Sequence, residues 1–358
     1  MSFEAARQVL REAIGNRAFP AAVVEVGHAR GAIWREAFGH LTYEPDAASA
    51  TQATLFDLAS LTKVLATTTI FMRLMDAGTV TLEDPIGRWL AEWRGKDRDH
   101  VTVRDLLAHC SGLSAHLPLY ESYKGRQEFQ RVVCGLALEY TPRTQSIYSD
   151  VGFMLLDFIS QDASGLPLGR QFESIARLVA PEFLGFNPPR TWRAHIAPTE
   201  IEAWRGRLLV GEVHDPNAWA LGGEAGHAGL FGSATAIGAF AQLMLRGLAH
   251  GDATLARPET IQLFARRTDD IPDSTRALGW DTMKPTSSCG TRMQATAIGH
   301  TGFTGTSLWI DWERNLYVVL LTNRVHPSAA NTAIQAVRPA FHDAVLAGWS
   351  DDAHAARA

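Results

Sequence analysis

Lysine is scarce in this chain: among 33 basic residues only Lys63, Lys96, Lys124 and Lys284 are lysines. No Lys- or Arg-rich run occurs, and the formal charge is −5, which argues against nucleic-acid binding as the main task. Cysteine is scarcer still. Cys110, Cys134 and Cys289 form an odd, widely spaced set without a C-x-x-C pair, so they read as free thiols used for packing in a reducing compartment. No stretch approaches the roughly 18 uninterrupted apolar residues of a membrane span. Repeats, low-complexity segments and a glycine-rich phosphate loop are also lacking. The N-terminal "MSFEAARQVLREAIGNRAFP" is charged throughout and has no apolar core of a secretion leader, so the expected location is cytoplasmic.

With 358 residues, 46% of them hydrophobic and 20% charged, the chain can bury a large core in one domain or two closely packed ones. A first amphipathic helix is followed by a two-stranded hairpin, "AAVVEVGHARGAIWREAFGHLTY", turning near "ARG". A helix is predicted from about Leu58 to Asp76, closing at Gly78. Residues 80–205 read as helical with long connections. Within them "VTVRDLLAHCSGL" offers Thr102 as N-cap with Asp105 three residues on, and "YSDVGFMLLDFISQDASG" starts a helix capped by Ser149 or Asp150. Helices at "SATAIGAFAQLMLRG" and "PETIQLFARR" precede three strands, "ATAIGHTG", "GTSLWIDW" and "NLYVVLLTN", and a final helix spans about 331–347. Strands at both ends with helices between predict an α+β fold: one antiparallel sheet built from both termini, flanked by helices, with an inserted mostly helical region. The expected domains are 1–79 with 206–358, and 80–205, with the active site between them.

Against this background "SLTK" asks for a reason. A serine hydroxyl is a poor nucleophile until a base stands within reach. Three residues apart on a helix, Ser60 and Lys63 share a face, and burial favours the neutral, proton-accepting form of a lysine. The helix N-terminus would also favour a developing oxyanion. Two further segments bear on the same chemistry. "IYSDVGF" sets Tyr148 beside a helix start, where a phenol near an ammonium can shuttle protons. "GHTGFTGTSLWID" sets His300, Thr301 and Gly302 at a strand end, with glycines that let backbone approach a ligand. Taken singly, each has a plain structural reading: a cap, a core tyrosine, a glycine-rich turn.

Together, S-x-x-K, Y-x-[ND] and [KH]-T-G in this order resemble the penicillin-recognising serine hydrolases. That superfamily comprises class C β-lactamases, D-alanyl-D-alanine carboxypeptidases and esterases of the β-lactamase fold. "VTVRDLLAHCSGL" and "GEAGHAGLFGSATAIGAFAQLML" are similar to further family segments, so the likeness spans nearly the whole chain. The resemblance implies a β-lactamase/penicillin-binding-protein-like fold and an acyl-enzyme on Ser60, with Lys63 as general base and Tyr148 as proton relay. It also implies an oxyanion hole made by the backbone N–H groups of Ser60 and Phe303, and substrate contacts from Asp150, His300, Thr301 and Gly302.

Two departures bear on the substrate. Asp150 stands where lactamases and peptidases usually carry an amide-donating Asn, and His300 where many have a charged Lys. An ionised Asp150 beside a neutral His300 is expected to repel a substrate carboxylate. The expectation is therefore carboxylic ester hydrolysis with weak β-lactam turnover. The alternatives are a D-amino-acid peptidase, amidase or β-lactamase, and, from another class, a sensor that acylates without turning over. Glu212, His214, Asp215 and His227 in "GEVHDPNAWALGGEAGHAGLFG" match no zinc spacing and read as a cleft-shaping loop. Neither metal nor organic cofactor is called for. The expected partner is a small ester, amide or β-lactam, with no nucleic acid and no membrane. Nothing in the chain sets an oligomeric state.

Overall fold

The computed structural model describes residues 2–179, 183–268, 271 and 274–349. Helix α1 (Glu4–Gly15) leads into strands β1 (Ala21–His28) and β2 (Gly31–Gly39), then the short β3 (Phe56–Asp57) and helix α2 (Thr69–Asp76). Helices α3 (Val103–Leu107), α4 (Gly125–Gly135), α5 (Asp150–Ser164) and α6 (Leu168–Ala176) follow. Next come β4 (Leu184–Phe186), β5 (Ile201–Glu202), β6 (Arg207–Leu208), α7 (Pro216–Ala220), β7 (Leu230–Gly232), α8 (Ala234–His250) and α9 (Pro258–Ala265). Strands β8 (Asp281–Thr282), β9 (Ile298–Thr301), β10 (Ser307–Asp311) and β11 (Leu316–Thr322) precede the last helix, α10 (Ile334–Gly348).

The main sheet has the order β2-β1-β11-β10-β9-β8 with every pair antiparallel. The two chain ends meet in its centre, where Val24 pairs with Leu320 and Val26 with Val318. Strands β1 and β11 read as largely apolar runs, interrupted in β1 by buried Glu25, because both faces are covered. Successive side chains point to opposite faces. Val23, Tyr317, Val319 and Leu321 enter the core shared with α8, α2 and α5. Val24, Val26, Val318 and Leu320 enter a second core under α1 and α10.

The predicted caps are present. Thr102 and Asp105 form a reciprocal capping box at α3, and Ser149 accepts from the Gly152 N–H at the start of α5. Two local features differ from the sequence reading. The segment 80–205 carries β4 and β5 besides its helices, in small sheets of order β3-β7-β4 and β5-β6. The helix after Ser60 is not a uniform α-helix: Lys63–Thr68 winds as a π-turn before α2 begins. Thr69 Oγ1 donates to the Val64 carbonyl (3.0 Å) and Thr67 Oγ1 to the Gly226 carbonyl (2.7 Å). These side-chain bonds bring the wide turn into register with its neighbours, and such turns recur at functional sites. All three cysteines are buried and outside any disulfide, and burial pushes the thiols of Cys134 and Cys289 up to about 12. No described helix is long and apolar enough to cross a membrane.

Candidate active site

Ser60 stands immediately before the helical run, at the end of β3. The turn that delivers it is strained: Ala59 sits at φ 46°, a region L-residues rarely occupy. Buried Asp57 holds it there, one carboxylate oxygen accepting from the Ala59 N–H (2.8 Å) and the other from the His214 N–H (2.6 Å). Thr304 and Thr306 donate to the carbonyls of Asp57 and Leu58 at 2.7 and 3.0 Å. They tie the segment after β9 to the nucleophile turn. Gly302 belongs to this contact, since a Cβ there would stand 2.1 Å from Thr306 Oγ1 and 2.5 Å from the Leu58 carbonyl oxygen. Among the described residues neither the Ser60 nor the Phe303 N–H is taken by another group, so both remain available to an oxyanion.

Lys63 is fully buried. Its Nζ donates to Ser60 Oγ (3.2 Å), Asp150 Oδ1 (2.7 Å) and the His227 carbonyl (3.1 Å). This corrects the electrostatic expectation. Burial does pull the Lys63 pKa down, but the Asp150 carboxylate and the Tyr148 phenol outweigh it, and the net shift is upward. Lys63 is therefore an ammonium in the resting site. Asp150 is likewise not a free anion facing substrate. Burial opposes its ionisation, yet Lys63 and His116 hold it well below the usual carboxylate range. The repulsion expected of it is largely spent on Lys63.

Tyr148 is half-buried in the cleft wall, and its partial loss of solvent raises its phenol, while Lys63 and Ser60 lie against its hydroxyl. Its ring is held by His109 (centroids 4.9 Å), His300 (5.7 Å) and the Lys63 ammonium (4.7 Å). His109 sits at φ 56° and accepts the Ser149 N–H on Nδ1 (3.0 Å). Burial keeps it neutral, and it orients both Tyr148 and the start of α5. His300 is buried and lowered to about 3, chiefly by desolvation and then by Lys63 and Arg276. Its Nδ1 lies 2.8 Å from the Thr301 carbonyl and so carries the proton. His300 is thus neutral, as the sequence suggested. Thr301 closes β9 opposite Ser307 and lines the cleft. Phe303 is 55% exposed, stacked on His214 (5.6 Å) and lying under the Arg324 guanidinium (4.3 Å).

Of the eight residues singled out from the sequence, seven line one cleft of about 990 Å³, and Lys63 stands behind its wall against Ser60. The "GEVHDPNAW" cluster separates into pairs: Glu212 with Arg205 and Arg207, His214 with Glu200 (2.8 Å), and Asp215 with His227 (2.9 Å). Asp215 caps α7 and, with His214, forms cleft wall. Three residues were missed. His116 faces Asp150 Oδ2 (3.4 Å) from the cleft mouth. Arg276 places its guanidinium 5.3 Å from the Tyr148 ring centroid. Arg338, largely buried on α10, donates to the carbonyls of Gly302 (2.7 Å) and Thr306 (2.9 Å) and so braces the turn that carries Phe303. Nothing in their neighbourhoods marks them locally, because each acts across a long stretch of chain.

The pattern of the Beta-lactamase family matches residues 6–340. A protein of Escherichia coli strain K12 named as a putative D-alanyl-D-alanine carboxypeptidase is 34% identical over 322 residues, covering 79% of this chain and 72% of its own. Among solved structures, EstCE1, a hydrolase with promiscuous acyltransferase activity, superposes with TM-score 0.75 at 20% identity over 95% of this chain and 98% of its own. The octameric penicillin-binding protein homologue of Pyrococcus abyssi gives 0.76 at 18% identity over 98% of this chain and 79% of its own. By sequence and by fold, the chain belongs to the beta-lactamase family of serine hydrolases.

Proposed function

We propose that the protein hydrolyses small amides or esters through an acyl-enzyme on Ser60, and that its preferred leaving groups carry a carboxylate. Once Lys63 has given up its resting proton, Ser60 Oγ attacks the carbonyl carbon as its own proton passes to the Lys63 amine, and the Ser60 and Phe303 N–H groups receive the oxyanion. Tyr148 gives its proton to the departing amine or alkoxide and recovers one through Lys63. Water then enters the same path in reverse roles and releases the acid. The chain division at 79 and 206 fits this reading, since Ser60 and His300 fall in one part and Tyr148 and Asp150 in the other.

The observation that carries the substrate assignment is Arg276. Neutral His300 supplies no charge, but the Arg276 guanidinium lies over the Tyr148 ring and lines the same cleft. Its own counter-ion, Asp281, is 4.0 Å away, so a substrate carboxylate can compete for it. This favours the carboxypeptidase type of reaction that the relatives' names describe. On the acyl side both Asp150 oxygens are engaged by Lys63 and His116, and the Asp150 carboxylate itself has no proton to donate to an amide carbonyl. That observation keeps simple esters as the second reading.

Two thioesters with the same short acyl group test the proposal, one releasing a 2-mercaptoalkanoate and the other its methyl ester, each followed with a thiol reagent. The free carboxylate should raise kcat/KM about tenfold or more, the effect of ~1.4 kcal/mol. Equal rates, or preference for the methyl ester, would return the assignment to neutral esters.

A further inference from the structure

A buried ammonium cannot act as a base until it loses a proton, and Lys63 has no contact with solvent. Its described polar neighbours are Ser60, Tyr148, the His227 carbonyl and Asp150. A carbonyl cannot carry a proton away. Ser60 is the group to be deprotonated, and the phenol of Tyr148 already holds its proton. Asp150 differs from all of these because its two oxygens face different groups. Oδ1 takes Lys63 and Oδ2 faces His116 Nδ1 at 3.4 Å. The His116 side chain is 48% exposed where that of Lys63 is not exposed at all.

We propose that His116, Asp150 and Lys63 form a proton relay between the cleft mouth and the buried base, with His116 as its solvent terminal. The proposal rests on the reading of Lys63 as the base for Ser60. In the charging step an Nζ–H bond of Lys63 breaks, Asp150 takes the proton and its carboxyl turns, and an N–H bond forms on His116 Nδ1. Asp150 begins and ends as a carboxylate, and the positive charge moves from Lys63 to His116, which gives the proton to water. The same path run backwards reloads Lys63.

The charged groups facing His116 are Asp150 at the start of α5, Asp215 at the cap of α7 and Lys63 in the π-turn. The Asp150 contact is the strongest influence and raises the imidazole above its ordinary value, against burial and Lys63. An imidazole is the side chain whose ordinary value lies nearest neutral pH, so His116 is the member of the three suited to exchange a proton with water. The family's usual Asn at position 150 could not pass a proton, so the departure at that position supplies what the relay needs.

The test is the pH dependence of acylation in His116→Gln, read as kcat/KM for a chromogenic ester and as the rate of covalent labelling by a fluorophosphonate. With the relay cut, Asp150 still holds Lys63 as an ammonium. The acid limb should move up by a pH unit or more, and kcat/KM at pH 7 should fall on the order of tenfold. Added imidazole should restore a good part of the loss in His116→Gln and have no effect on the wild type. Circular dichroism and thermal melting verify that the variant is folded, as expected for a half-exposed side chain. A profile that superimposes on the wild type overturns the relay, as does a loss that neither shifts the limb nor responds to imidazole. If wild-type Ser60 takes no label at all, the nucleophile reading fails instead, and the two failures are separable.

Discussion

Replacing Asp150 by Asn keeps the size and one hydrogen bond of the side chain and removes its charge. The Nζ–Oδ1 distance is 2.7 Å, with Lys63 unexposed and Asp150 16% exposed. With the carboxylate charge spread over two oxygens, the pair is worth about 5 kcal/mol at an effective dielectric near 20. Relaxation and water entry would leave about half of that, and its loss lowers the Lys63 pKa. The base form is the neutral amine, so the acid limb of kcat/KM should move down by roughly one to two pH units. This is the direction opposite to His116→Gln: both changes cut the relay, but only Asp150→Asn also removes the charge that holds Lys63 protonated. Stability should change with a definite sign. Lys63 is raised in the folded state, so its contribution is present below the unfolded lysine value and lost as pH rises through the folded one. Asp150 is depressed, so its contribution is present above the unfolded carboxylate value and lost as pH falls. Asp150→Asn should therefore melt below the wild type most clearly between about pH 4 and pH 10, with the gap closing outside that window. A ladder of pH–rate profiles and melting curves on both proteins measures this. An acid limb that stays in place or moves up would refute the claim that Asp150 holds Lys63 charged.

Arg276→Gln should abolish the preference for a carboxylate-bearing leaving group, lowering kcat/KM about tenfold for that substrate while leaving the neutral ester nearly unchanged; the paired thioester assay reads both. Gly302→Ala would drive a Cβ into Thr306 and the Leu58 carbonyl. It should cost about 1–3 kcal/mol of stability, seen by thermal melting. By moving the Phe303 N–H it should also cost on the order of a hundredfold in kcat.

Much of the site was legible because its parts are local. Ser60 with Lys63, Tyr148 with Asp150, and His300 through Phe303 each lie within a few residues on elements whose caps and periodicity announce them. The sheet was legible for a similar reason: β1, apart from Glu25, and β11 are largely apolar on both faces, as a central, doubly covered strand requires. Charge state was not legible. Lys63 and Asp150 are 87 residues apart, so burial, the only influence local sequence records, points down where the counter-ion turns the net shift upward. The π-turn depends on Thr67 bonding Gly226 across 159 positions, a contact that helical periodicity does not record. Arg276 and His116 lie in irregular segments and acquire meaning only from Tyr148 and Asp150 beside them.

The most direct measurement of the central claim is intact-mass and peptide mapping of the protein after reaction with a fluorophosphonate probe, run on the wild type and on Ser60→Ala. The substitution removes one oxygen from a position whose backbone is fixed by Asp57 and Thr304, so the fold should persist. One adduct per chain on the Ser60 peptide in the wild type, and none in Ser60→Ala, is the expected result. An adduct that persists in Ser60→Ala, or that maps to another residue, would contradict the assignment of Ser60 as the nucleophile.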